Sequence, residues 1–207
     1  MNGYTRGGNV FSSLPTVTRV ILIINIAIFI IDWLTKHVII HYLALYSFAT
    51  NAFEPYQIVT HMFLHGGLGH IFFNMFGLFM FGRVLESVLG SRKFFILYFL
   101  SGLGAAALQL FVYYLQDAPA IMIGASGAVL GILAAFAVMF PNVELMIIFL
   151  PIPIKAKYLV PIYAVFELFF GIANFKADNI AHFAHLGGAL VGFILVMIWK
   201  KNQFRVM

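Results

Sequence analysis

Residues 122–140 read MIGASGAVLGILAAFAVMF. The run carries no charge, and its length is close to the ~20 residues a helix needs to cross a bilayer. One hydroxyl interrupts it: Ser126, inside the small-residue patch Gly124-Ala125-Ser126-Gly127. Five further apolar runs lie at 17–36, 58–82, 93–115, 157–174 and 181–199. Their breaks carry residues that stop helices: Gly82-Arg83, Gly90-Ser91-Arg92-Lys93, Asp117-Ala118-Pro119, Pro141-Asn142, and Pro151 with Pro153. The fifth run is the least regular, because Pro161 and Glu167 both fall within it. The expected fold is all-α: a polytopic membrane protein whose six transmembrane helices form one domain over 17–200. Short tails, 1–16 and 201–207, would flank it.

Composition supports that reading. The chain is 63% hydrophobic and 9% charged, with a mean hydropathy of +1.01. Soluble domains run at about 45–50% apolar and about 25% charged. The 24 Phe and 9 Tyr suit a lipid-facing surface with aromatic rings at its interfaces. With no cysteine, disulfides and thiol chemistry are both excluded. The first sixteen residues lack an apolar core followed by a small-residue cleavage site, so no signal peptide is expected.

The charge of +5 is a topology signal. Arg6 precedes the first run and Arg19 lies at its amino-terminal end, Arg83, Arg92 and Lys93 follow the second, and Lys155 and Lys157 follow the fourth. Lys200, Lys201 and Arg205 follow the sixth. Ten of the twelve basic residues thus fall on one side, leaving Lys36 and Lys176 for the other. Positive charge marks the cytoplasmic side, so both termini are expected there. Nucleic acid is not an expected partner; the lipid bilayer is.

Orientation brings candidate reactive groups to one depth. The second, fourth and sixth helices all run inward from the outer face. His70 lies near the outer part of the second. Ser126 and His185 lie about four or five residues into the fourth and sixth, roughly 6–8 Å deep at 1.5 Å per residue.

Ser126 is the candidate nucleophile. Its neighbours leave room for a substrate backbone, and its N–H, near a helix start, is free to meet a developing oxyanion. Taken alone, the tetrapeptide fits a packing patch, since small residues gather at membrane helix contacts. His185, in Ala184-His185-Leu186-Gly187-Gly188, is the candidate general base, and ionisable groups within spans are costly enough to imply function. Gly127 and Gly131 share a Gly-x-x-x-Gly spacing with Gly188 and Gly192, which lets two helices approach closely. The same glycines would bring Ser126 to His185, which favours catalysis. No Asp or Glu is visibly placed to orient the histidine, so a Ser–His dyad is expected.

His70 and Asn74, four apart on one helix face, offer N–H donors for an oxyanion site, or else an interhelical hydrogen bond. His61 with His65, and His182 with His185, are spaced for a metal. Lacking a grouped carboxylate or cysteine, they lead to no expected metal. Glu86 is expected to pair with Arg83. Glu167 stays open between a neutral hydrogen-bonding acid, an ion site and a shallower position.

These residues together resemble the rhomboid family of intramembrane serine proteases. The matching elements are His70-x-x-x-Asn74, Gly124-x-Ser126-Gly127 and Ala184-His185-x-x-Gly188-x-x-x-Gly192, in the family's order and on its second, fourth and sixth helices. Gly90-Ser91-Arg92-Lys93 also fits. The resemblance implies Ser126 as nucleophile, His185 as base, and an oxyanion site from His70, Asn74 and the Ser126 amide. It implies no cofactor. It also implies a water-accessible cavity, a covering loop at 174–180, and transmembrane protein substrates admitted sideways past the fifth helix. They would be cut near the outer face, in a membrane such as the bacterial cytoplasmic one. Two features depart from the family pattern. Residues 37–57 lack the Trp-Arg pair that many bacterial members carry, and Leu130 stands where some members place an aromatic ring. The competing readings are a small transporter or channel built around Glu167, and an inactive relative that binds membrane helices without cutting them.

Overall fold

The computed structural model describes residues 14–117, 119–147, 150–173 and 180–204. The first helix, α1 (Thr16–Leu34), starts after Pro15, whose extended backbone precedes the first turn. Its opening N–H groups have no intrahelical acceptor, and a carboxylate from elsewhere in the chain supplies one. Val17 N and Thr18 N donate to Glu86 at 2.8 and 2.7 Å, and the Thr18 hydroxyl does so at 2.7 Å. Ser91 donates its hydroxyl to the same group at 2.7 Å. The expected Glu86–Arg83 pair is therefore replaced by a cap on α1, while Arg83 lies 4.8 Å from the centroid of the Phe79 ring.

Beyond α1, Asp32 organises the next turn. It is buried, holds His37 Nδ1 at 2.8 Å and accepts the Ile40 N–H at 3.1 Å, setting up α2 (Val38–Leu43). The segment that follows has a polar anchor in buried Gln57. Its amide nitrogen donates to the carbonyls of Ala52 and Tyr42, while its oxygen accepts from Glu54 N and Tyr46 N. The two-residue strand β1 (Leu45–Tyr46) is part of this loop. So is α3 (Gln57–Thr60), which runs on into a 3₁₀ turn at His61–Phe63. Gln57 thus supplies an anchor for a loop that lacks the Trp-Arg pair, while Tyr42, Phe48 and Tyr56 stay exposed.

The second span begins later than expected. Leu64 and Gly67 are extended, and the helix runs over α4 (Leu68–Gly77), a π-helical turn at Leu78–Gly82 and α5 (Arg83–Leu89). The apolar run at 58–82 therefore holds two elements, broken where Gly66-Gly67 lowers helix propensity. Gly82-Arg83 does not stop the helix; Gly90 does, at φ +79°, a conformation that favours glycine.

Helix α6 (Ser91–Gln116) leads to β2 (Ile121–Met122), which pairs antiparallel with β1. The short helix α7 (Ser126–Met139) follows. A hairpin of β3 (Glu144–Ile147) and β4 (Leu150–Lys155) occupies the next connection, containing Pro151 and Pro153. Helices α8 (Ala156–Ala173) and α9 (His182–Phe204) complete the bundle. Among the described residues, five helices are long and apolar enough to cross a membrane, and α7 is the shorter apolar one. The protein is an integral membrane protein of all-α class, with only these two small strand pairs among the described residues.

Helices α6, α7 and α9 form the packed centre of the bundle. A methyl group on Gly188 would strike the Gly127 carbonyl, and one on Gly192 would strike that of Gly131. The two backbones meet along that line. Helix α8 packs mainly on α9 and α7. Only 11% of its span is buried, against 28–44% for the other four long helices, so it is the loosest of the long spans.

Candidate active site

Helix α7 has 14 residues. At 1.5 Å per residue it rises about 21 Å, short of the ~30 Å hydrocarbon core. The segment Ile121–Ala125 makes up part of the difference as non-helical backbone. Such backbone is tolerated at membrane depth where it lines a cavity, and it does so here. Ile121 to Gly124 form one wall of a cavity of about 460 Å³, with His61, His70, Ser126 and His185 on the other sides. Ser126 is thus the first residue of its helix, not four or five residues in. Its N–H belongs to the first turn, which has no intrahelical acceptors.

The Ser126 hydroxyl and His185 Nε2 are 2.8 Å apart. His185 sits in the first turn of α9, where the glycine contacts with α7 hold the two helices together. On the other side of the imidazole, His185 Nδ1 lies 2.9 Å from Glu167 Oε2. The same oxygen is 2.7 Å from His182 Nδ1. Glu167 is one of two buried residues on α8, the other being Ala156. Sequence spacing alone shows no carboxylate placed to reach His185; α8 brings one there.

His70 reaches the cavity and Asn74 does not. An added methyl on Gly124 (φ +125°) would lie 2.7 Å from His70 Nε2, so the ring faces the turn that opens α7. His70 Nδ1 accepts the Gly66 N–H at 3.3 Å, which places a proton on Nε2 in the neutral ring. Asn74 is buried and donates to the His70 carbonyl at 2.9 Å. Leu130 borders a narrow gap of about 10 Å³ beside Tyr163, Glu167 and His185.

The remaining histidines divide. His61 donates its Nδ1–H to the Gln57 carbonyl, 2.9 Å away, while its own carbonyl takes the Gly124 N–H at 2.9 Å. It therefore ties the first loop to the turn before Ser126. Burial holds the His61 ring well below the usual histidine range, at about 4, against partial support from backbone hydrogen bonds. Burial, with the nearby His70, holds His65 down to about 3. Both rings stay neutral at pH 7. Glu167, His182 and His185 bring donor atoms within 4.8 Å of one another, a set that could hold a metal. The 2.7 Å contact of Glu167 with His182 Nδ1 is a hydrogen bond, while the 2.9 Å contact with His185 Nδ1 is an ion-pair distance oblique to the ring N–H. Ligands around a tetrahedral zinc at ~2.0–2.1 Å stand about 3.3 Å apart.

A family model for the rhomboid domain matches residues 52–202. The chain belongs to the rhomboid family. This rhomboid is 32% identical to the mitochondrial RHOMBOID-like protein 6 of Arabidopsis thaliana over 146 residues, 70% of this chain and 44% of that one. It is 29% identical to the chloroplastic Rhomboid-like protein 11 of the same plant over 187 residues, covering 87% and 64%. With YdcA of Bacillus subtilis it shares 29% over 154 residues, covering 73% and 71%. The chain thus spans only 44% and 64% of the two plant relatives. The matched region takes in the cavity, both histidines on α9, Glu167 and Ser126.

Proposed function

We propose that this rhomboid is an intramembrane serine endopeptidase. The observation that carries the reading is the 2.8 Å contact between the Ser126 hydroxyl and His185 Nε2, at the mouth of a helix whose first-turn N–H groups open on the same cavity. His185 takes the hydroxyl proton on Nε2 as Oγ attacks a peptide carbonyl. The tetrahedral oxyanion meets the Ser126 N–H and His70 Nε2. His185 then returns its proton to the leaving amine, and a water repeats the sequence on the acyl-enzyme. Asn74 joins the oxyanion site only by turning from the His70 carbonyl; in its present position it braces His70.

Water has a source. A second cavity of about 500 Å³, bordered by Gln109, Tyr113, Gln116 and His182, shares the residues Ile121, Ile123 and Ile180 with the first. Substrates are the transmembrane segments of other membrane proteins, entering past α8 and cut near the outer face. A helical substrate must unwind first, because its backbone groups are already paired and closed to attack. The loop expected to cover the cavity, 174–180, lies almost wholly outside the described residues. We assign the protein to a bacterial cytoplasmic membrane on its resemblance to bacterial members of the family, with both termini cytoplasmic on the bias of its basic residues.

The test is cleavage of single-span model substrates by purified protein in liposomes, wild type beside Ser126→Ala. Product from the wild type alone is the expected result. Equal product from both would remove Ser126 as nucleophile. No product from either, with substrate helices still bound, would identify a binding protein instead.

A further inference from the structure

We propose that Glu167 is a positioning residue for His185, so that the Ser126–His185 pair works with a carboxylate behind the imidazole. The inference rests on the serine-protease reading above. Three observations carry it. Glu167 Oε2 lies 2.9 Å from His185 Nδ1 while His185 Nε2 faces Ser126 at 2.8 Å, so the three groups stand in series through one imidazole. For Nε2 to accept the serine proton, the ring must carry its own proton on Nδ1, the atom beside the carboxylate. And α8 is the least buried long helix, yet it turns this one acid inward.

A carboxylate in a membrane helix is costly and calls for a partner. Glu167 has several: His182, His185, and Tyr163 one turn earlier on α8. The approach to His185 is oblique to the ring N–H, whereas His182 takes the shorter contact. The carboxylate is therefore shared, and its leverage on His185 is smaller than in a triad with a dedicated acid. No proton passes to Glu167. It fixes the tautomer and ring angle of His185, and its charge balances the imidazolium formed as Oγ attacks. The geometry also makes the base depend on α8: moving that helix outward withdraws the carboxylate from His185.

The rival account is that Glu167 only latches α8 to α9. Two readouts separate them. One is kcat and KM for a transmembrane substrate. The other is the rate at which a small fluorophosphonate labels Ser126, which requires the activated serine but no passage of a substrate helix. Glu167→Gln, isosteric and uncharged, is compared with Glu167→Asp, which keeps the charge, at matched thermal unfolding midpoints. The expected result is a kcat for Glu167→Gln lower by about 10- to 100-fold, at or below the lower end of the ~10²–10⁴ that base catalysis supplies, because the carboxylate is shared. KM should hold within about threefold and labelling should slow in parallel, with Glu167→Asp retaining more of both. Unchanged labelling alongside altered substrate cleavage would mean a latch alone and overturn the proposal. A wild type that neither labels nor cleaves would instead bring down the protease reading beneath it.

Discussion

The tightest constraint on the site is a pair of glycines beside the chemistry, Gly127 directly after Ser126 and Gly188 three residues after His185. Gly188 touches the Gly127 carbonyl so closely that one methyl group must push α7 from α9. Backbone cannot give way as a flexible side chain does, so the displacement passes directly to Ser126 and His185. A misplacement of about 1 Å between reacting groups costs roughly 100-fold in rate. Gly188→Ala is thus expected to lower Ser126-dependent cleavage by at least that order while the protein remains folded in detergent. Activity within twofold of wild type would show that the helices separate without disturbing the pair. His61 leads to a pH prediction. Its ring is held near 4 in the fold but titrates near 6.5 once unfolded. The unfolded chain binds the proton first, so stability present above pH 6.5 is lost as pH falls toward 4. Unfolding midpoints taken from pH 7 to pH 4.5 should fall, and His61→Gln should flatten the curve. A variant with the wild-type slope would assign the acid sensitivity to other groups. Among these residues, Ser126, His185 and His70 were legible because each sits in a short pattern with glycine or asparagine at fixed offsets. Glu167 carried no such pattern. Its role depends on which way α8 is rotated against α9, and with Glu167 as its only buried polar residue α8 offers no apolar stripe that declares it.

At the scale of elements, hydropathy located the spans but misjudged their ends where polar side chains act at a distance. The run at 58–82 looked continuous because residues 57–63 are apolar enough to extend it, yet their hydrogen bonds go to the first loop through Gln57 and Thr60. The start of α7 was read too early for a related reason. Ile121 and Met122 are apolar, but they pair with Tyr46 and Leu45 as a strand. Glu86 makes the clearest case. Its pairing with Arg83 was expected from local spacing, whereas its carboxylate caps a helix 68 residues away in sequence. Hydrogen bonds to a charged acceptor contribute about 1.5–3 kcal/mol each, and they are not additive. Glu86→Ala is expected to destabilise the protein by about 2–4 kcal/mol and to free the start of α1. Hydrogen exchange of the Val17 and Thr18 amides would report it. Protection unchanged from wild type would mean that α1 keeps its first turn without the cap.

Across the whole molecule, charge predicts an orientation, and the face at which substrates would be cut depends on it. The end of the bundle that carries the cavity also carries the first loop, whose β1 pairs with β2 just before Ser126. The opposite end carries Arg19, the Arg92-Lys93 pair, and Lys155 with Lys157 on the β3–β4 hairpin and the start of α8. Positive charge retained on the cytoplasmic side would turn the cavity outward, toward the face where substrate helices would be cut. The absence of cysteine makes this directly measurable with single introduced thiols. Asn51→Cys lies in the first loop and Asn142→Cys in the turn after α7; both positions are exposed. In intact cells, a maleimide that cannot cross the membrane should label position 51 and spare position 142, which becomes reactive only after the membrane is opened. The reverse pattern would invert the bundle, put Ser126 near the cytoplasmic face and require substrates to be cut there. Because the Ser126–His185 geometry is the same in either orientation, that result would move the cleavage site without touching the mechanism.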